Sequence, residues 1–344
     1  MSYGLLVPAR SAHYHPRVVF DVLYVSPHSD DVGFSAAAQI ARDVASGLKI
    51  ALLTVFEMPE TGQSGAGGER AIRRAEDDAY ATLAGIQRFS AGLLDAAARH
   101  PRYRNNLYRV LAPLREDEKP TVEAVRARIE AFVRDGCPRV VAPLGVGEHV
   151  DHQIVHEAAN GVVGAEVTFY EDTPYVLTRF ALARRLARLG FRPVSDGGAA
   201  ASEANDPTLR RGSAWEEMVA VVKAWWSLPQ VDSWLGVTPE RRRTWWLAIA
   251  RSLLIAYLLG PFVLMPRRLR RLRPVRAAAA SLVRGNDVAR VKLSAIGVYE
   301  SQWHYFHYTL EDWRDALERY ALLLREEGVV ERVWRVVQTG VVTR

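Results

Sequence analysis

Cysteine is nearly missing: Cys137 is the only one in 344 residues. That excludes an intramolecular disulfide framework and a cysteine-rich zinc cluster, and makes a reducing cytoplasm the simplest expected compartment. Lysine is almost as scarce. Lys49, Lys119, Lys223 and Lys292 are the four lysines among 45 basic residues, leaving 41 arginines against 39 acidic residues and a net charge of +6. Arginine richness more often reflects genome composition than function, so where the arginines cluster says more than their number. Met1 to Pro16 lacks the basic stretch and apolar run of a secretory leader. No internal repeat is visible. Apolar residues at 49% and charged residues at 24% are ordinary values, which removes disorder, collagen and coiled coil for the bulk of the chain. At about 150 residues per domain, the length allows one large domain with an insertion, or two domains.

What is present reads first as alternating strands and helices. Residues 18–27, VVFDVLYVSP, are a β-branched apolar run ending at a proline, the pattern of a buried parallel strand. An alanine-rich helix follows over Ser35–Ala45, then a strand over Lys49–Phe56 and a loop over Met58–Gly68 with five glycines and prolines. A charged helix is expected over Glu69–Leu83, a short strand over Arg88–Leu93 and a helix over Thr121–Arg134. Arg139–Leu144 is the fourth strand, with a helix from about Asp151 and a fifth strand over Glu166–Tyr170. This alternation predicts an α/β fold, a Rossmann-like, doubly wound, mostly parallel sheet covered on both faces. We divide the chain into a core (1–177), a large Trp/Arg-rich helical insertion (178–288, with a polar loop at Gly197–Asn205) and C-terminal segments that complete the core (289–344). A long helix is expected over Leu310–Arg325.

Two histidine–aspartate clusters fall at the ends of predicted strands. The first strand ends in Pro27-His28-Ser29-Asp30-Asp31 and the fourth leads into Gly147-Glu148-His149-Val150-Asp151-His152. Open α/β sheets bind ligands at the carboxyl ends of their strands, and the first and fourth strands of a doubly wound sheet lie side by side where strand order reverses. Either cluster alone would read as turn and helix-cap residues; two at matching strand ends point to one metal. Catalytic zinc takes three protein ligands and keeps a position for water. His28 and Asp31 can reach one ion and His152 can supply the third ligand. Asp30 can then serve as general base, and His149 can polarise a carbonyl oxygen or protonate a leaving amine. Asp151 is placed to orient a histidine.

These residues resemble the PIG-L (LmbE-like) family of zinc-dependent N-acetylglucosaminyl deacetylases. Its motifs Pro-His-x-Asp-Asp and His-x-Asp-His stand here as Pro27–Asp31 and His149–His152. The resemblance implies zinc on His28, Asp31 and His152, with Asp30 as general base and His149 as transition-state stabiliser; another divalent metal is the alternative. Weaker similarities extend it. Arg73-x-x-Glu76 with Gly85 resembles a family helix whose arginine lies near the substrate, so Arg73 is a candidate substrate contact. Tyr170–Tyr175 and the Lys292–Gln302 segment are also similar. The resemblance covers about 18–177 and 289–305. One position departs from it: Val32 stands where the family usually has Glu. His156 shares a helix face with His152 and is expected at the surface or behind the ligands. His13, His15, His100, His304 and His307 have no partner pattern.

The insertion holds Trp245–Met265, long enough for a bilayer but interrupted by Arg251 and by Gly260-Pro261. Arg267, Arg268, Arg270, Arg271, Arg273 and Arg276 follow, with Arg241–Arg243 before it. A single crossing would separate Lys292–Gln302 from the core, so a buried helix or an interfacial helix on anionic headgroups is expected, the latter giving peripheral contact at the inner membrane face. No nucleic acid partner is expected, because no nucleic-acid-binding module surrounds the arginines. The resulting expectation is a zinc hydrolase that removes acetyl from an N-acetyl amino sugar or glycoconjugate. The alternatives are hydrolysis of another amide or ester, or an idle glycan-binding or membrane-associated protein.

Overall fold

Strand β1 (Val22–Ser26) is buried at every position, and its side chains alternate between two separate cores. Leu23 and Val25 face one and Val22 and Tyr24 the other, as a central strand covered on both faces requires. The computed structural model describes residues 18–58, 66–104, 110–194, 206–213, 215–217, 219–220, 276–303 and 309–337. The tryptophan- and arginine-rich run from Trp225 to Arg273, the Gly197–Asn205 loop and His13, His15, His304 and His307 lie outside them.

The elements that follow are α1 (Asp31–Ala45), β2 (Ile50–Glu57), α2 (Ala66–Ala84), β3 (Gln87–Leu94), α3 (Lys119–Arg134), β4 (Arg139–Pro143), α4 (Val150–Asn160) and β5 (Glu166–Tyr170). After them come α5 (Ala181–Arg188), β6 (Phe191–Val194), β7 (Arg276–Val283), α6 (Val288–Val298), α7 (Leu310–Leu323) and β8 (Glu331–Val337). The eight strands among the described residues form one sheet in the order β3-β2-β1-β4-β5-β8-β7-β6. Pairing is parallel except at β8, which runs antiparallel to both β5 and β7. Order reverses between β1 and β4, which pair from Val22↔Arg139 to Tyr24↔Val141 and bring the two predicted strand ends together.

On one face α1, α2, α6 and α7 pack through Phe34, Ile40, Tyr80, Ile296 and Trp313; on the other, α3, α4 and α5 pack through Ile129, Phe132, Ile154 and Leu186. Trp313 is fully buried, with its ring edge-on to Phe34 at 5.3 Å. Burying one such side chain stabilises the fold by roughly 1.5–3 kcal/mol. The doubly wound, mostly parallel sheet is as expected from the sequence.

The insertion is not simply helical. Its described residues give the sheet β6 and β7, so strands enter the core sheet from within 178–288. Ala277–Ala280 in β7 hid this strand, because alanine disfavours strands intrinsically and is held there by packing. Lys292, near the start of the C-terminal segments, lies in the helix α6. Among the described residues no helix is long and apolar enough to cross a membrane.

Candidate active site

Two loops at the switch point supply the chemistry. The first is the tight turn from β1 into α1. Ser26 Oγ accepts from Val32 N at 3.1 Å, and His28 N donates to Asp31 Oδ2 at 2.8 Å. These bonds fold His28 and Asp31 back over the strand end. Asp30 is the N-cap of α1, yet its carboxylate makes no capping bond to the helix amides and so stays available for chemistry. Val32 is buried in the core, where it contributes no ligand atom.

The second loop runs from β4 into α4. Gly145, Gly147 and Glu148 all have positive φ, at 80°, 84° and 63°. A Cβ on Gly147 would sit 2.4 Å from the Tyr175 ring, so glycine is required there for space as well as conformation. Buried carboxyl and amide groups hold this turn. Asp172 Oδ2 accepts from Gly145 N at 2.7 Å and Val146 N at 2.8 Å, and Gln153 Nε2 donates to the Glu148 carbonyl at 2.6 Å. Glu148 also pairs with Arg188 of α5.

The two loops converge on Asp31. Its Oδ2 lies 3.1 Å from His28 Nδ1 and 3.3 Å from His152 Nε2, and the ligand atoms of this trio all fall within 4.8 Å of one another. Each histidine is backed on its other nitrogen by a buried carboxylate: His28 Nε2 by Asp151 at 3.1 Å and His152 Nδ1 by Asp172 at 2.6 Å. Carboxylate-backed imidazoles facing a common carboxylate are the donor set and orientation that a divalent metal requires. A second trio, His28, His149 and Asp151, is equally compact. Its Asp151 is already engaged by Arg99 Nη2 at 2.8 Å, Ala96 N at 2.9 Å and His28. The first trio therefore fits a cation better.

The electrostatics agree. Burial works against charge on His28, but Asp151 and Asp31 outweigh it and raise its pKa to about 10. Burial opposes ionisation of Asp31, and His152 and His28 reverse it, lowering Asp31 to about 2. Asp30 goes the other way. Burial and the neighbouring Asp31 push it up to about 6, against the pull of Arg73 and His28. Burial pushes His149 down to about 3, so its imidazole is neutral at physiological pH. His149 Nδ1 accepts from Asp151 N at 3.2 Å, which places the ring proton on Nε2 as a donor. The His149 ring centroid lies 5.1 Å from that of His28 and 5.3 Å from that of His152.

A cavity opens beside His28 and Ser29, lined by Phe56, Arg70, Arg73 and Arg74 among others. Arg73 thus lines it, its Nη2 donating to Glu69 at 2.8 Å. His156 departs from expectation: it is 1% exposed, bonded through Nδ1 to the Pro143 carbonyl and tilted against Phe169 with ring centroids 4.4 Å apart, in the core rather than at the surface. His100 caps a turn, accepting from Arg102 N. The sequence reading missed Asp172 as an individual. Its only signal was the Tyr170–Tyr175 similarity, which did not single it out.

The family model described as PIG-L, GlcNAc-PI de-N-acetylase, matches residues 23–163. The matched stretch is similar to that family and contains both loops and all three proposed ligands. A curated relative, the 2'-N-acetylparomamine deacetylase of Streptomyces fradiae, is 34% identical over 171 residues, which is 46% of this chain and 59% of the relative. The chain thus spans well under two thirds of that relative's length. Two solved structures share the fold. One is a deacetylase of an antimicrobial pseudoaglycone, at 17% identity and TM-score 0.53 over 93% of this chain and 98% of that one. The other is the zinc-inhibited form of a teicoplanin deacetylase, at 17% identity and TM-score 0.54 over 92% of this chain and 97% of that one.

Proposed function

We propose that this chain is a zinc-dependent N-deacetylase that releases acetate from an N-acetylated amino sugar or its conjugate. The observation that carries the reading is the convergence of His28, Asp31 and His152, with Asp30 and His149 beside them in the protonation states that amide hydrolysis needs. The amino-sugar class is supported by the matched relative, a deacetylase of 2'-N-acetylparomamine. His28, Asp31 and His152 would hold the zinc, which would supply Lewis-acid polarisation of the amide carbonyl and lower the pKa of water toward ~7.

The chain's own residues do the remainder. Asp30, ionised at neutral pH yet basic for a carboxylate, takes a proton from the attacking water. His149 Nε2–H donates to the carbonyl oxygen as negative charge develops there, and it needs no net charge to do so. Asp30 then returns its proton to the sugar nitrogen as the C–N bond breaks, leaving acetate and an amine. Asp151 and Asp172 hold the two histidines in register, and Arg73 meets the sugar in the cavity.

Acetate release from a panel of N-acetyl sugars, with metal content measured in parallel, tests the reading. His152→Ala should lose both metal and turnover. Full metal occupancy in that variant refutes the ligand assignment, and a metal-loaded parent that cleaves an unrelated ester but no N-acetyl sugar refutes the substrate class.

A further inference from the structure

Helix α1 is broken one turn after Asp31. Ala36 leaves helical geometry at φ −133° and ψ 18°, so the regular bonding of each N–H to the carbonyl four residues back is interrupted there. Two residues almost 40 positions apart, on α6 and β8, fill the gap. Glu331 accepts from Ala38 N through Oε1 at 3.0 Å and from Gln39 N through Oε2 at 2.9 Å. Lys292 Nζ donates to the Ser35 carbonyl at 3.2 Å and to Glu331 Oε1 at 3.1 Å. Both are almost fully buried, at 2% and 3% exposure. A carboxylate thus takes the amides that the break leaves over, and an ammonium takes the carbonyl.

The turn on the active-site side of the break is therefore a separate piece. It carries Asp31, with Asp30 at its N-terminal end. Val32 N on Ser26 Oγ ties it at one end, and Thr173 N on Ser35 Oγ, at 3.0 Å, ties it at the other. Its middle is pressed by Tyr299, whose Cε2 would be 2.4 Å from a Cβ on Gly33. No continuous helix ladder aims this turn, and the buried ion pair sits at the break.

We infer that Lys292 and Glu331 are positioning residues for the metal site, setting the direction in which the Asp30–Asp31 turn presents its carboxylates. This rests on the reading of His28, Asp31 and His152 as metal ligands. It explains why a lysine far along the chain accompanies a site to which it offers no atom, and why the ion pair lies at the break rather than elsewhere on the sheet.

The test uses cobalt(II) in the full chain, whose visible absorption reports the geometry of the ligands. Lys292→Met and Glu331→Gln should shift that spectrum and weaken cobalt affinity by about 10- to 100-fold, the usual effect of disturbing groups that orient ligands. The double variant Lys292→Met/Glu331→Gln leaves no unpaired charge in the core and keeps the experiment open if a single variant fails to fold; it should show the same spectral shift. Leu317→Ala, a buried truncation in α7, serves as the control that lowers stability without touching the break. If the ion-pair variants lose stability like the control while keeping the parent's spectrum and affinity, the pair is only structural and the inference is overturned. A parent chain that takes up no cobalt overturns the metal reading, and this inference with it.

Discussion

Asp172→Asn changes one atom and gives the sharpest test of how the site is held. The Asp172 carboxylate is 1% exposed and serves two masters: Oδ1 faces His152 Nδ1 at 2.6 Å, and Oδ2 accepts from Gly145 N and Val146 N. An asparagine has one acceptor oxygen and can satisfy only one side. With that oxygen on the two backbone amides, its NH2 meets His152 Nδ1. This forces Nδ1 to accept and moves the ring proton to Nε2, the nitrogen that must be bare to bind metal. By the measured effect of such partners on metal sites, affinity should fall by about 10- to 100-fold. With the amide flipped, His152 keeps its tautomer but two buried N–H groups lose their acceptor, costing about 1–3 kcal/mol each. Competition with a chromophoric chelator measures the first outcome, and urea unfolding of the metal-free chain the second. Asp172→Asn should show one loss or the other. A variant with parent-like affinity and stability would refute the claim that this carboxylate sets both the tautomer and the loop.

Asp30→Asn and His149→Ala should keep the metal and lose turnover, by ~10²–10⁴-fold for the base and a comparable factor for the oxyanion donor, as steady-state rates at full metal occupancy will show. Metal affinity should rise with pH. His28 holds its proton up to about 10 in the metal-free chain and, against the effect of burial, the carboxylates around His152 raise its pKa too, so binding must displace protons, and affinity should climb at least about tenfold per pH unit below that value, measured as proton release by calorimetry in two buffers. For the Trp245–Arg276 run we propose docking on anionic lipid: co-sedimentation should need acidic liposomes and weaken with salt, at ~1 kcal/mol per arginine near the surface. A chain that ignores such liposomes at low salt refutes it.

The readable parts of the molecule were those where one local rule decided the outcome. β1 and β4 are buried on both faces, so their apolar runs announced parallel strands, and their shared position at the switch point followed from topology. The convergence of His28, Asp31 and His152 could be read in advance because their motifs lie on the two loops that this topology joins, while their choice as ligands rests on the family resemblance. β7 was not, since four alanines in a row carry no strand signature and owe their state to β6 and β8 on either side. His156 sits four residues after His152 in helix α4, yet His152 faces the site and His156 the Pro143 carbonyl, a difference set by packing that spacing cannot resolve. Asp172 and Glu331 were equally opaque. Each acts on a partner many residues away, and acidic side chains beside strands are ordinarily solvated.

The antiparallel strand β8 has a consequence for how the protein comes into being. It is the last of the eight strands in sequence but lies between β5 and β7, so β6 and β7 have only each other until it arrives. It also brings Glu331 to the break in α1, and Arg332 and Trp334 to Glu171, the neighbour of Asp172, at 2.5 and 2.7 Å. During synthesis, β1 to β5 can assemble as the ribosome releases them, and all three proposed ligands emerge early. On the positioning role inferred for Glu331, the turn bearing Asp31 still waits for the final strand to seat. Assembly of the sheet and maturation of the site are thereby one event, and a nascent chain stalled before residue 331 should hold every ligand without binding the ion tightly.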